Sequence, residues 1–189
     1  MNIIEKAAAF ALHAHQGQVR KQTDIPYIMH PLEAAVTAQA LTDDHEIIAA
    51  AVLHDVIEDT DCTKEELEEE FGERIASVVN EVSENKMEHL PSEETWKQRK
   101  QETVSRLKAS GLPVKTVVLC DKLSNIRAVH RDYQKIGDEL WLRFSQKDKN
   151  EHGWYYKSVL KELNEFSRTP EYNELRRLIY EVFGEDSLS

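Results

Sequence analysis

Cysteine is scarce in this 189-residue chain: only Cys62 and Cys120, far apart and outside any Cys-x-x-Cys arrangement. That excludes a disulfide scaffold and makes a reducing cytosol the simplest home. Cys120 reads as a small buried apolar residue beside Asp121, and Cys62 as a loop residue. Six glycines and five prolines leave little room for long linkers. No stretch approaches the run of about 20 apolar residues needed to cross a bilayer. The first segment already mixes charge with apolar residues at helical spacing, unlike a secretory signal, so a cytoplasmic protein is expected. Basic charge is short as well. Lys and Arg number 24 against 35 Asp and Glu, a formal net charge of -11, which argues against a nucleic-acid-binding face.

What is present points to helices. Hydrophobic residues make up 40% and aromatics only 7%, with Ala, Leu, Glu and Lys abundant. The length suits one domain, residues 1–189, with no internal repeat or low-complexity tract. Ile3, Ile4, Ala7, Ala8, Ala11 and Leu12 predict a helix over 2–15. A polar loop follows over 16–30, and Pro31 opens a helix to about residue 41. Asp43 or Asp44 caps the next, whose apolar stripe is Ile47, Ile48, Ala51, Val52 and Val56. Thr63 with Glu66 forms a capping box for an acidic helix ending near Gly72. Further helices are predicted over 73–84, 92–110 and from Pro113, with a surface loop at 85–91. Residues 133–137 read as loosening, 138–145 as a short helix and 146–152 as a polar loop. Helices over 153–167 and 170–183 complete an all-α chain.

The sharpest local feature is His54-Asp55-Val56-Ile57-Glu58-Asp59-Thr60, closing an otherwise apolar helix. His54 and Glu58, like Asp55 and Asp59, are four apart and lie one turn from each other. Four titratable side chains against a core need a partner, and a divalent cation is the natural one. Imidazole and carboxylate suit zinc, iron or manganese, and added carboxylates favour harder ions. Glu58, Asp59 and Asp61 taken alone would be an ordinary solvated helix end. Asp121 sits in an apolar helix between Leu119, Cys120 and Leu123, where a carboxylate needs compensation. Its plainer reading is a salt bridge to Lys122 or Arg127. His30 stands between an apolar tripeptide and Pro31. Spacing alone does not link 30, 54, 55 and 121. His13, His15, His45, His89, His130 and His152 read as structural or solvated, and Trp96, Trp141 and Trp154 as packing residues, with Trp154 a possible exception.

Three segments, His-Pro-Leu-Glu-Ala-Ala after a Gly-Gln-Val-Arg-Lys loop, His-Asp-Val-Ile-Glu-Asp-Thr, and Asp-Lys-Leu-Ser-Asn-Ile-Arg, occur in order. Together they resemble the HD hydrolase domain of the RelA/SpoT-type alarmone enzymes, in a stand-alone form, over roughly residues 3–165. The resemblance implies an HD-type helical bundle of about nine to ten helices. It implies His30, His54, Asp55 and Asp121 as ligands of a divalent metal, usually manganese. Glu58 and Asp59 would position and activate the attacking water. Asn125 would contact ribose or phosphate, Arg20 and Lys21 the guanine or its sugar, and Arg99 and Lys100 the phosphates. Arg127 joins these basic residues, which would offset the acidic charge toward an anionic substrate. The implied reaction removes the 3′-pyrophosphate of guanosine tetra- or pentaphosphate, leaving GDP or GTP. A nucleotide phosphatase of other range is a second reading, and a non-catalytic nucleotide-binding helical module a third. Oligomeric state is not legible.

Overall fold

A computed structural model describes residues 2–21, 23–84 and 91–185. Ten α-helices and two 3-10 turns make up their regular structure, and the nearest thing to a strand is one antiparallel bridge between Val19 and Pro26. The chain order is α1 (Ile3–Ala14), α2 (Met29–Leu41), α3 (His45–Leu53), α4 (Val56–Asp59) and α5 (Lys64–Phe71). It continues with α6 (Glu73–Val82), α7 (Ser92–Ala109), α8 (Leu112–Ile136), α9 (Lys149–Glu162) and α10 (Pro170–Phe183).

The middle of the molecule is α3. Every residue from Ile47 to Leu53 is buried, so this helix has no solvent face and packs against α1, α2, α6 and α8. Its start is fixed by Asp44, whose side chain accepts the Glu46 N–H. Asn2 with Glu5 and Thr63 with Glu66 form capping boxes at α1 and α5. Gly72, at φ 87°, adopts the left-handed conformation that separates α5 from α6. Helix α8 lies against α2, α3, α6 and α10, while α9 joins α7 to α10. The three helices that carry the motifs, α2, α3 and α8, therefore touch one another.

Three boundaries differ from expectation. Helix α2 begins at Met29, two residues before Pro31. The N–H groups of Met29 and His30 bond back to the carbonyls of Pro26 and Tyr27, at 3.2 and 2.9 Å. Pro31 then occupies a first-turn position where a missing N–H costs nothing. Helix α8 does not loosen over 133–136. Tyr133 packs on Trp141, and its hydroxyl lies 2.6 Å from Lys149 Nζ, so tertiary contacts hold the last turn until Gly137. The lysine-bearing run at 146–152 is not all loop, because Asp148 caps α9 at Asn150 and His152 is buried among aromatic rings. The sequence reading of 85–91 as a loop, and of His89 within it, falls outside the described residues except for Pro91.

Candidate metal centre and catalytic cavity

Four side chains converge where α2, α3 and α8 meet. His30 comes from the first turn of α2, His54 ends α3, Asp55 follows it, and Asp121 stands inside α8. His30 Nε2 lies 3.4 Å from Asp55 Oδ2 and 3.2 Å from Asp121 Oδ1. His54 Nε2 lies 3.1 Å from Asp55 Oδ2, 3.7 Å from Asp121 Oδ1 and 3.2 Å from His30 Nε2. Such separations match edges of a coordination sphere whose bonds are about 2.0–2.2 Å. Both imidazoles are 3% exposed, so the polyhedron is closed on the core side.

The chemistry of the donors supports the same reading. His54 Nδ1 sits 2.8 Å from the Ala51 carbonyl, which can only accept, so Nδ1 carries the proton and Nε2 offers its lone pair. Two imidazole nitrogens facing each other at 3.2 Å require a positive charge between or beside them. Burial opposes a charged His54, yet Asp55 and Asp121 outweigh it and hold the imidazole well above its usual range. Burial likewise opposes ionised Asp55 and Asp121, but the two histidines, and for Asp121 the Lys122 ammonium, keep both carboxyls well below theirs. The cluster is built to surround a cation, and two imidazoles with two carboxylates fit a divalent one.

The cluster forms the floor of a cavity of about 210 Å³. Glu58 and Asp59 stand on its wall one turn beyond His54 and Asp55, within α4. Helix α3 breaks at His54-Asp55 before α4 resumes, but the Asp59 N–H still bonds the Asp55 carbonyl at 2.8 Å, so the one-turn offset survives. Glu58 Oε2 accepts the Glu84 N–H at 2.9 Å. Burial, and then the charges of Asp55, Asp59 and Glu84, push the Glu58 carboxyl up from its ordinary 4.5 to about 7. A carboxyl poised there exchanges protons near neutral pH.

Of the expected substrate-side residues, the structure brings Lys100 and Asn125 to the cavity wall. Asn125 Nδ2 donates to Asp121 Oδ1 at 2.5 Å, and Arg20 Nη2 reaches Asn125 Oδ1 at 3.4 Å, which puts Arg20 at the rim. Three others are engaged outside the cavity. Arg99 is buried and turned to Glu84, Thr95 and the Ser92 carbonyl. Arg127 grips Glu174 through two bonds, at 2.8 and 2.6 Å, and Glu33 at 3.1 Å. Lys21 Nζ lies 5.2 Å from the centre of the Phe144 ring. Asp121 also makes the plainer contact, an ion pair with Lys122 at 2.6 Å, so its carboxylate serves both partners.

Sequence reasoning missed several wall residues. Tyr27 Oη is 2.6 Å from Asp55 Oδ2 and 3.0 Å from Asp59 Oδ2, tying a candidate ligand to a candidate catalytic carboxylate. Glu84, gripped by Arg99 and Lys100, and Lys122 also line the cavity. Tyr155 does too, its ring flanked by the ammoniums of Lys100 at 4.9 Å and Lys122 at 5.6 Å. Advance signals were slight: Tyr27 is the one member of the apolar-looking Tyr27-Ile28-Met29 tripeptide with a polar tip. Lys122 was read only as an ion partner of Asp121, and Trp154-Tyr155-Tyr156 resembles the family's aromatic contacts only loosely.

This helical bundle, with its buried His/Asp cluster, defines an HD-domain protein: the HD domain family model matches residues 7–147, and the chain belongs to that family. Among curated relatives, the mouse guanosine-3′,5′-bis(diphosphate) 3′-pyrophosphohydrolase MESH1 is 40% identical over 129 residues, covering 67% of this chain and 69% of that protein. An Aquifex aeolicus guanosine-3′,5′-bis(diphosphate) 3′-pyrophosphohydrolase is 39% identical over 126 residues, and there the match spans 18% of the longer relative. Among solved structures, one described as a metazoan ortholog of SpoT that hydrolyzes ppGpp superposes with a TM-score of 0.77 at 25% identity, covering 98% of both chains. The Listeria monocytogenes protein lmo0812 gives 0.71 at 26% identity, covering 85% of this chain and 97% of that one.

Proposed function

We propose that the chain is a metal-dependent phosphohydrolase that removes the 3′-pyrophosphate from guanosine 3′,5′-bis(diphosphate) and its pentaphosphate counterpart. The products are GDP or GTP and pyrophosphate. One observation carries the chemistry: a buried His30–His54–Asp55–Asp121 cluster with a carboxyl poised near pH 7 one turn away. The substrate follows from relatives that share two thirds of this chain, MESH1 above all, whose own length is mostly spanned. We treat residues 1–189 as one domain, since α10 packs on α8 and α9.

His30, His54, Asp55 and Asp121 would hold the ion, and manganese is our assignment because carboxylates accompany the imidazoles. A divalent ion there supplies Lewis acidity toward a phosphoryl oxygen and toward water. Glu58 takes the proton of the attacking water, a contribution of about two to four powers of ten in rate. The water oxygen bonds to the phosphorus next to the ribose 3′-oxygen, the bond between them breaks, and the 3′-oxygen leaves as a hydroxyl after gaining a proton. Tyr27 holds Asp59 and Asp55 in register by donating between them. Lys100 and Lys122 face the incoming phosphates across the Tyr155 ring.

Size supports the same division of labour. Pockets that enclose a whole small molecule run to about 300–1,000 Å³. A cavity of about 210 Å³ takes the diphosphate end and leaves the nucleoside at the rim, beside Arg20 and Asn125. The two free cysteines suit a reducing, cytoplasmic setting, and a part in the stringent response there is proposed from the alarmone substrate alone.

The deciding experiment is a substrate panel. Purified full chain with added manganese should release pyrophosphate from guanosine tetraphosphate, and Asp55→Ala should abolish it. Equal turnover of GTP, GDP and simple phosphate esters would refute the alarmone assignment. No hydrolysis of any phosphate ester would refute the enzyme.

A further inference from the structure

An imidazole that offers Nε2 to a metal must keep its proton on Nδ1, and something must hold it there. For His54 the holder is a backbone carbonyl of its own helix. For His30 it is a side chain from another helix. His30 Nδ1 lies 2.8 Å from Ser124 Oγ, and Ser124 Oγ lies 2.7 Å from Glu33 Oε2. A hydroxyl has one proton to give, and a carboxylate oxygen can only accept. Ser124 therefore donates to Glu33 and accepts from His30 Nδ1–H, which leaves the Nε2 lone pair facing Asp55 and Asp121.

The direction of this relay is itself held in place. Arg127 binds Glu33 Oε1 at 3.1 Å, so the other oxygen is the one turned to Ser124. Arg127 is in turn fixed by two bonds to Glu174 of α10. Ser124 is 1% exposed and sits one turn beyond Asp121 on α8. A serine inside a helix ordinarily bonds the carbonyl four residues back, whereas this one reaches across to α2. Helix α8 thus brings both a proposed ligand and the group that aims another.

We infer that Ser124, anchored by Glu33 and Arg127, is the positioning residue that fixes the His30 tautomer for metal binding. This rests on the proposed role of His30 as a ligand, and it gives Arg127 work other than contacting substrate.

The test is calorimetric titration of the metal-free full chain with Mn2+ alone. Ser124→Ala should bind about 10- to 100-fold more weakly, the usual loss when such an outer partner is removed. Its helical circular dichroism should stay unchanged. Ser124→Thr, which keeps the hydroxyl, should recover most of the affinity. Glu33→Ala, which removes the acceptor at a half-exposed position, should lose affinity in the same direction by a smaller factor. In the zinc-loaded protein, the slowly exchanging His30 Nδ1–H proton resonance should be present in the wild type and lost in Ser124→Ala.

Wild-type Mn2+ affinity in Ser124→Ala with that resonance retained would overturn the inference. Should Ser124→Ala not fold, wild-type affinity in Glu33→Ala would overturn it instead. His30→Ala separates the two levels. If it weakens binding while Ser124→Ala does not, only the relay fails; if it binds normally, the ligand assignment fails as well.

Discussion

Replacing Glu58 with glutamine should stabilise the metal-free protein at alkaline pH while abolishing its turnover. Burial and three neighbouring carboxylates raise the folded-state pKa of Glu58 from 4.5 to about 7. Between those values the folded state binds a proton that the unfolded state has released, so stability falls as pH rises through that window. At about 1.4 kcal/mol per pH unit, the full penalty above pH 7 is about 3 kcal/mol. The glutamine side chain carries no charge and can still accept the Glu84 N–H, so Glu58→Gln escapes the penalty without losing that bond. At pH 8 the gain should be about 3 kcal/mol, and at pH 5 it should shrink to about 1 kcal/mol. For a chain of this size the pH 8 gain corresponds to a rise in Tm on the order of 10 °C. The assay is urea unfolding of both proteins in EDTA at the two pH values, followed by circular dichroism. EDTA matters because a bound cation favours the charged carboxylate and would narrow the gap. A variant no more stable than wild type at pH 8, or one with an equal gain at pH 5, would refute the reasoning.

Tyr27→Phe removes a donor shared by Asp55 and Asp59, and a hydrogen bond to a charged group is worth about 1.5–3 kcal/mol. Its kcat should fall about tenfold or more, and unchanged steady-state kinetics would sink the assignment. Arg99→Ala should cost about 2–4 kcal/mol of stability, because it leaves a 7%-exposed Glu84 side chain with Lys100 as its only paired cation among the described residues. Lys100→Ala should instead raise KM with the smaller effect on unfolding, and the reverse pattern would show that Arg99 is the substrate contact. Chelation should abolish turnover, and restoring metal at about 100 times its Kd should add about 3 kcal/mol to unfolding, a gain that Asp121→Asn should lose.

How much of this was legible depends on how far apart the partners lie in the chain. His54, Asp55, Glu58 and Asp59 are neighbours at one-turn spacing, so their juxtaposition could be read directly, even though the helix breaks between them. Asp121 announced itself as a carboxylate in a core helix. His30 needed the family resemblance, because no local rule joins it to residues 24 and 91 positions further on. For the same reason the polar tip of Tyr27 did not say what it would meet, and Glu84 was invisible. Their partners, Asp55 and Glu58, stand 28 and 26 positions away, and neither carries a pattern until the helices pack. Arg99 and Arg127 show where charge alone stops informing. Their charge suggested phosphate contacts, but which carboxylate a guanidinium meets is decided by the face its helix turns, and both meet Glu partners. In the fold, local signals placed the caps of α3 and α5. The last turn of α8 and the first of α9 are held by contacts between Tyr133, Trp141, His152 and Lys149, which propensity does not encode.

The acidic balance of the chain becomes sharper at the cavity. Its wall carries Asp55, Glu58, Asp59, Glu84 and Asp121, against the ammoniums of Lys100 and Lys122. Both lysines are already paired, Lys100 with Glu84 and Lys122 with Asp121, so neither is an unanswered positive charge. A phosphate oxygen about 4 Å from one uncompensated carboxylate is repelled by about 4 kcal/mol at an effective dielectric of about 20. Five carboxylates share the same small volume with those two lysines. A divalent cation among His30, His54, Asp55 and Asp121 would reverse the sign of the potential where the phosphates arrive. It would also release Lys122 from Asp121 toward them. The histidines would aim the ion, and the carboxylates would draw it in. Lys122 would then become available to substrate only after the ion is there, so metal dependence would enter at substrate binding before any bond is broken.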